Sequence, residues 1–138
     1  MASEFSLTLN VSGQRLPVIR AFVVTVASLY FSRDSIHPLE MCVNEMCENI
    51  VRHAYNGGSG YLKIRLKIDA RKMSVIIIDR GEKFDPREYR HMTNRELVEN
   101  EIKGKLGIRT IKVMCNRLQY ERLKNKNKTV LIRKRNED

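Results

Sequence analysis

Long apolar runs and a secretion signal are both missing from this 138-residue sequence. The longest apolar stretches, such as residues 21–29, are far shorter than the roughly 18 residues that a membrane-spanning helix needs. The N-terminus carries no basic segment followed by an apolar one, which is the pattern of a secretory signal. We therefore expect a cytoplasmic protein without a membrane segment.

Cysteine and histidine are scarce and scattered. There are three of each, the cysteines have no C-x-x-C spacing, and the histidines form no H-E-x-x-H motif. These absences disfavour a transition metal held by protein ligands. We expect the cysteines to be buried structural thiols. They are Cys42, Cys47 and Cys115.

Basic residues outnumber acidic ones by 26 to 16, so the net charge is +10. Many of the basic residues lie between positions 117 and 135, where Glu121 is the single acid. Such a segment can be an ordinary solvated face, a surface for an acidic protein partner or a contact for nucleotide phosphates. Nucleic-acid binding is disfavoured, because no recognition helix or pattern of stacking aromatic residues accompanies the charge.

Apolar patterning in the first half of the chain predicts a strand and two helices. Alternation over residues 5–11 predicts a half-buried strand, and an apolar segment that begins near Pro17 predicts a helix to about residue 31. The second helix is expected to open at His37 and Pro38 and to end near residue 55, before a glycine-rich turn. That turn follows a helix and precedes a strand, which is the wrong order for a phosphate-binding loop.

The second half reads as paired strands interrupted by a long polar connection. An antiparallel pair is predicted over residues 61–68 and 73–78, and the connection of residues 82–105 has the length of a functional lid. A helix after Gly107 and two strands follow, at residues 118–123 and 129–133, joined by a loop of residues 124–128. This order predicts one α+β domain over residues 1–138, a two-layer α/β sandwich with helices on one face of a mostly antiparallel sheet.

Two short motifs place polar residues where a nucleotide could bind. Glu45 and Asn49 are four residues apart, so both project from one face of the second helix. Asp79 ends an apolar strand, where its carboxylate can accept a hydrogen bond from an adenine amino group, and Gly81 would let a flat base approach. Each motif alone is common, the first as the polar face of an amphipathic helix and the second as a turn.

A third motif is a glycine-containing loop that opens the helix after the polar connection. Here the order suits phosphate, because unpaired backbone N–H groups at a helix N-terminus face an anion. Lysine side chains in the loop could add positive charge. The residues of this loop are Lys103, Gly104, Lys105, Leu106, Gly107 and Ile108.

Together and in this order, the three motifs resemble the N, G1 and G2 boxes of the GHKL, or Bergerat-fold, ATP-binding superfamily. Within this superfamily, the residues around these motifs are similar to those of the anti-sigma-factor serine/threonine kinases. Residues 44–55 (N-E-M-C-E-N-I-V-R-H-A-Y) resemble that group's E-x-x-x-N helix with its H-A-Y ending. Residues 79–86 (D-R-G-E-K-F-D-P) resemble its D-x-G-x-x-F-D-P segment. The resemblance covers nearly the whole chain.

The resemblance implies roles for the site residues. Glu45 would orient or deprotonate the attacking hydroxyl group, and Asn49 would bind the Mg²⁺ ion that bridges the phosphates. Asp79 would hold the adenine, and Thr129 would support this contact through Asp79 and water. The other nucleotide-binding positions implied are His53, Gly81, Phe84 and the six loop residues named above.

The same resemblance implies a bacterial cytoplasmic protein kinase that uses ATP and forms ADP. Its partners would be a STAS-type anti-anti-sigma protein, which it phosphorylates on serine, and a sigma factor, which it sequesters, and it would be a homodimer. Lys105 stands where the usual G-x-G has a glycine, so the alternative is a catalytically weak or inactive ATP-gated binding module. Glu45 favours the kinase, because a protein that only binds ATP does not need it.

Overall fold

The computed structural model describes residues 3–87 and 117–135. Two α-helices and a five-stranded sheet make up this part of the chain. The strands are β1 (Ser3–Val11), β2 (Gly60–Ile68), β3 (Lys72–Asp79), β4 (Arg117–Leu123) and β5 (Lys126–Lys134). The helices are α1 (Leu16–Ala27) and α2 (Arg33–Asn49), and α2 continues into a π-helical turn (Ile50–Ala54).

The sheet has the strand order β1-β2-β3-β5-β4, and every neighbouring pair is antiparallel. Side chains alternate between its two faces. On one face Leu62, Ile64 and Leu66 of β2 are fully buried, and they form one core with apolar residues of α1 and α2. The predicted two-layer α+β architecture, with helices on one face of the sheet, is therefore confirmed.

The predicted helix boundaries were wrong by about one turn. α1 ends at Ala27 rather than near residue 31. The residues that follow form 3₁₀-type hydrogen bonds, in which the N–H groups of Leu29 and Tyr30 donate to the carbonyls three residues earlier. α2 begins at Arg33, five residues before Pro38, which lies inside the helix. Its first turn is closed by the carbonyl of Ser32, which accepts from two backbone N–H groups.

The last two strands also differ from the prediction. The expected five-residue loop is a turn of two residues, and the following strand begins at Lys126 instead of Thr129. Asn125 adopts a positive φ of 57° in this turn, a conformation that asparagine tolerates better than most residues. As a result Asn127, expected in a loop, lies inside β5 and faces β3.

Two of the three cysteines are buried, as predicted. Cys42 and Cys47 have no exposed surface, and burial raises the pKa of the Cys47 thiol to about 12. Cys115 lies outside the described residues, as do the predicted lid and the helix expected after Gly107. No helix of the described chain has the length and apolar character needed to cross a membrane.

Candidate nucleotide-binding site

Glu45 and Asn49 are buried polar residues on α2. Their exposed fractions are 5% and 6%, although the helix around them supplies core residues such as Met46 and Ile50. Burying polar side chains is unfavourable unless they are hydrogen-bonded, so their burial beside core residues requires a specific polar environment. The Glu45 and Asn49 side chains are therefore enclosed by protein, whereas amphipathic patterning alone would place them on a solvent-exposed face of the helix.

The end of α2 packs directly against the end of β3. The π-helical turn brings the carbonyl of Ala54 to the N–H of Glu82, at 2.8 Å. A Cβ atom at Gly81 would lie 2.5 Å from the same carbonyl oxygen. Glycine is thus required at position 81 by the packing of helix on strand, whereas the sequence interpretation assigned it to the approach of a flat base.

The Tyr55 hydroxyl stabilises this contact between the helix end and the strand end through two hydrogen bonds. It accepts a hydrogen bond from the N–H of Arg80 at 2.8 Å and donates one to the carbonyl of Tyr61. The final tyrosine of the H-A-Y sequence thereby joins the end of the helix to β2 and to the residue after Asp79. The tyrosine of the H-A-Y sequence thus has a structural role that the sequence pattern did not reveal.

Asp79 is the buried carboxylate of the site, with an exposed fraction of 1%. Its Oδ1 atom accepts hydrogen bonds from the N–H of Gly81 and from Nδ2 of Asn127, both at 2.9 Å. Desolvation raises the pKa of Asp79, and these two hydrogen bonds together with Arg122 oppose that rise. A buried carboxylate held by donors at a strand end is well placed to accept from an adenine amino group.

The polar residues of α2 and the carboxylate of β3 belong to the same region of the molecule. The charge of Asp79 contributes to the raised pKa of Cys47, which lies between Glu45 and Asn49 in α2. Gly81 and Glu82 contact the residue that closes the following π-helical turn. The helix that carries the first motif therefore contacts, at its end, the residues that follow Asp79 in the second motif.

His53 and Phe84 form a stacked aromatic pair. Their ring centroids are 4.8 Å apart and the rings are inclined by 16°. Phe84 is buried, whereas desolvation, with a smaller effect from Arg52, lowers the pKa of the partly buried His53. Both residues were predicted to contact the nucleotide, and their stacking links the helix end to the segment after β3.

Thr129 is buried on the helix-facing side of β5. It pairs with Ile77 of β3, two residues before Asp79, so it lies diagonally across from the carboxylate on the neighbouring strand. This position is compatible with the supporting role that the family resemblance implies. The position directly opposite Asp79 belongs to Asn127.

Six predicted residues lie outside the part of the chain that the structure describes. They are the residues of the phosphate-loop motif: Lys103, Gly104, Lys105, Leu106, Gly107 and Ile108. Their assignment to the nucleotide phosphates stays a prediction.

Three polar residues of the site were missed from the sequence. Asn127 contacts Asp79, and Tyr120 and Arg122 of β4 both donate to the Asn127 side-chain oxygen. A period-2 pattern running backward from Leu131 through Thr129 to Asn127 could have revealed the buried asparagine. The lysines and asparagines of residues 124–128 favoured a loop instead.

The chain matches the family model of the histidine kinase-like ATPase domain over residues 10–134. The serine-protein kinase RsbW of Halalkalibacterium halodurans is 26% identical over 121 residues, which cover 83% of this chain and 74% of that relative. RsbW of Oceanobacillus iheyensis is 35% identical over 91 residues, covering 62% of this chain and 58% of the relative. The chain spans about half the length of several such relatives.

A solved structure shares the fold. The crystal structure of the RsbU and RsbW domains of Rv1364c from Mycobacterium tuberculosis has a TM-score of 0.65 and 14% sequence identity to this chain. The match covers 96% of this chain and 32% of that one. Taken with the family match over residues 10–134 and the similarity to RsbW kinases, this shows that the chain belongs to the histidine kinase-like ATPase domain family of the GHKL superfamily.

Proposed function

We propose that this chain is an ATP-dependent serine/threonine protein kinase that regulates a sigma factor. The observation that carries the proposal is the buried Glu45 and Asn49 pair on a helix whose π-helical end contacts Gly81, two residues after Asp79. A domain that only bound adenine would need Asp79 but not a carboxylate one helical turn from an amide. The similarity to RsbW serine-protein kinases supports protein serine as the acceptor.

Each residue would have a separate task in phosphoryl transfer. Asp79 would accept a hydrogen bond from the adenine amino group and so orient the nucleotide. Glu45 would accept the proton of the attacking serine hydroxyl, or orient that hydroxyl toward the γ-phosphate. These tasks fit the chemistry, because phosphoryl transfer depends mainly on positioning and on neutralising charge.

Asn49 would hold Mg²⁺, whose preferred ligands are oxygen atoms such as an amide carbonyl. Its buried amide, beside the Glu45 carboxylate on one helix, supplies the donor type this ion takes. When bound, the ion would neutralise charge on the phosphates. Nucleotide phosphates would complete its coordination, together with water.

The proposed partners are a STAS-type anti-anti-sigma protein, phosphorylated on serine, and a sigma factor, sequestered between phosphorylation cycles in the bacterial cytoplasm. A homodimer is part of this proposal. It is supported by α1, where Val18 is 52% exposed, and by Leu29 just after it, which is 68% exposed. Large apolar side chains exposed this far suit a protein interface.

A phosphotransfer assay tests the kinase proposal. Purified protein would be incubated with radiolabelled ATP, Mg²⁺ and candidate STAS-type proteins, with Glu45→Gln and Asn49→Ala as matched variants. We expect transfer by the wild type and a loss of at least a hundredfold in both variants, with ADP binding retained in Glu45→Gln. Binding of ATP without transfer to any STAS-type protein would contradict the kinase proposal.

A catalytically weak, ATP-gated binding module is the second candidate. Lys105 favours it, because this lysine replaces a glycine in the phosphate-loop motif. The two candidates differ in their dependence on Glu45. If Glu45→Ala left the regulation of the sigma factor unchanged in cells, the binding module would be the better assignment.

A further inference from the structure

We propose that Asn127 is a positioning residue that orients the Asp79 carboxylate and so makes the site selective for a 6-aminopurine. The inference rests on the proposed binding of an adenine nucleotide at Asp79. Asn127 is 1% exposed and is the residue of β5 that pairs with Asp79 of β3. No motif of the sequence pointed to it.

The two amide hydrogens of Asn127 are both used. Nδ2 donates to Oδ1 of Asp79 at 2.9 Å and to the carbonyl of Glu82 at 2.7 Å. A primary amide has only two N–H donors, so the group has no remaining proton to offer a ligand. Asn127 therefore acts on the nucleotide through Asp79 and not by direct donation.

The oxygen of the same amide is also occupied. Oδ1 of Asn127 accepts from the Tyr120 hydroxyl, from Nη1 of Arg122 at 3.2 Å and, at 3.4 Å, from the N–H of Phe84. Nη1 of Arg122 and the N–H of Phe84 can only donate, whereas the partners of Nδ2 are acceptors. This arrangement determines which way the amide faces, since a flipped amide would place its N–H groups against donors.

The fixed amide leaves Asp79 with one oxygen for a ligand. Among the described residues, both hydrogen bonds to this carboxylate end on Oδ1. Oδ2 is then the acceptor presented to a nucleobase. An adenine amino group can donate a hydrogen bond to Oδ2. The 6-oxo group of hypoxanthine has no proton to donate, so its oxygen and Oδ2 would be two acceptors facing each other.

Asn127 also holds the turn that follows Asp79. It contacts the backbone at Glu82 and Phe84, and Arg122 donates to both the Asn127 oxygen and the carbonyl of Gly81, the latter at 3.0 Å. The carboxylate and the adjoining turn are thereby positioned by one side chain. A purely structural role for this network would affect folding but would not discriminate between purine bases.

Calorimetric titration with ADP and with inosine diphosphate separates the two roles. These nucleotides share the ribose and phosphates and differ at the base position that Asp79 would recognise. The variants are Asn127→Ala, the nearly isosteric Asn127→Asp and, as a matched control, Lys126→Ala, which changes an exposed neighbour on the other face of β5. Each would be titrated well below its own unfolding temperature.

We expect both Asn127 variants to lose about tenfold or more in ADP affinity, because an oriented acceptor is lost, while inosine diphosphate affinity stays within twofold. The preference for ADP would fall accordingly, and Lys126→Ala would match the wild type. An unchanged ADP preference in a folded Asn127 variant, or equal losses for both nucleotides, would overturn the inference.

The proposed function has its own control in Asp79→Asn. If the wild type bound no ADP, the proposed function would fail, and this inference with it. If the wild type preferred ADP and Asp79→Asn lost that preference, but Asn127→Asp kept it, only the role of Asn127 would be wrong.

Discussion

The proposed binding role of Asp79 comes with a stability cost at the same residue. Asp79 is buried, desolvation raises its pKa, and Asn127 and Gly81 compensate only in part. A residue with this balance is expected at a functional site, since the same position would be more stable with a neutral side chain. The Asp79→Asn change separates the two effects because it keeps the shape and removes the charge.

We predict that Asp79→Asn abolishes detectable ADP binding and raises the stability of the free protein at neutral pH. Its amide oxygen can still accept from Gly81 and Asn127, while the buried charge is gone. Calorimetry would measure binding, and urea unfolding would measure stability. Retained ADP affinity would contradict the assignment of Asp79 to the adenine.

The stability difference should depend on pH with a defined sign. Because the folded pKa of Asp79 lies above the unfolded value of 3.8, the unfolded state loses its proton first as the pH rises. The wild type should therefore lose stability relative to Asp79→Asn as the pH rises from 3.8 to the folded pKa, and the difference should stay constant above it. Urea unfolding of both proteins across this range would check the sign.

The His53 and Phe84 stack gives a second prediction at the residue scale. We expect His53→Ala to cost about 0.5–1.5 kcal/mol of stability and His53→Phe to cost little, because phenylalanine keeps the stacked geometry. Chemical unfolding at pH 8, where the histidine is neutral, would measure both changes. Equal costs for the two variants would show that stacking is not what stabilises this contact.

At the scale of elements, the junction between the π-helical turn and β3 is held by backbone contacts. A methyl group at Gly81 would meet the Ala54 carbonyl, which is itself hydrogen-bonded to Glu82 and cannot move aside freely. Side-chain repacking cannot relieve such a clash.

We predict that Gly81→Ala destabilises the protein by about 1–3 kcal/mol and weakens ADP binding, because the helix must shift away from the strand. Gly13→Ala is the matched control, since a Cβ there would meet no atom within 4 Å. Thermal unfolding and ADP titration of both variants would test this. A Gly81→Ala protein as stable as the control would argue against the close packing.

The sequence predicted the elements better than their ends. The strand-end position of Asp79 followed from apolar patterning, and the shared helix face of Glu45 and Asn49 followed from their four-residue spacing, but the burial of that pair did not follow from periodicity. Pro38 misled the start of α2, because proline is preferred in the first turn of a helix, whereas here it is the sixth residue of the helix. Asn127 was missed because residues 124–128 are all lysine or asparagine, a composition typical of a loop, although the period-2 pattern running back from Leu131 continues through Asn127.

At the scale of the whole molecule, the basic segment of residues 117–135 does not form one surface. Arg122 and Arg133 lie on the helix-facing side of the sheet, whereas Arg117 and Lys128 lie on the outer side. On that outer side, aliphatic residues of the central strands lie among basic side chains of the strands around them, whose apolar stems can cover them. The aliphatic residues are Ile76, Ile78, Val130 and Ile132, and the basic ones include Lys63, Arg65, Lys67 and Lys128.

Ligand-linked stability provides a prediction for the whole molecule. ADP at a hundred times its dissociation constant should stabilise the folded protein by about 2.7 kcal/mol, because it binds the folded state alone. The unfolding temperature of the wild type should rise with ADP and Mg²⁺, and that of Asp79→Asn should not. A rise of the same size in both proteins would place the nucleotide elsewhere.

The Tyr55 hydroxyl and the Ala54 carbonyl join the end of the helix to Tyr61 of β2 and to Arg80 and Glu82, so the region proposed to bind adenine is already held together without a ligand. A ligand that enters a preformed site loses little free energy in ordering it. If Asp79 binds adenine as proposed, this region would be a fragment site for inhibitor discovery. Small 6-aminopurine compounds without any phosphate mimic would keep the contacts to Asp79, and they could be grown from there toward Glu45 and Asn49.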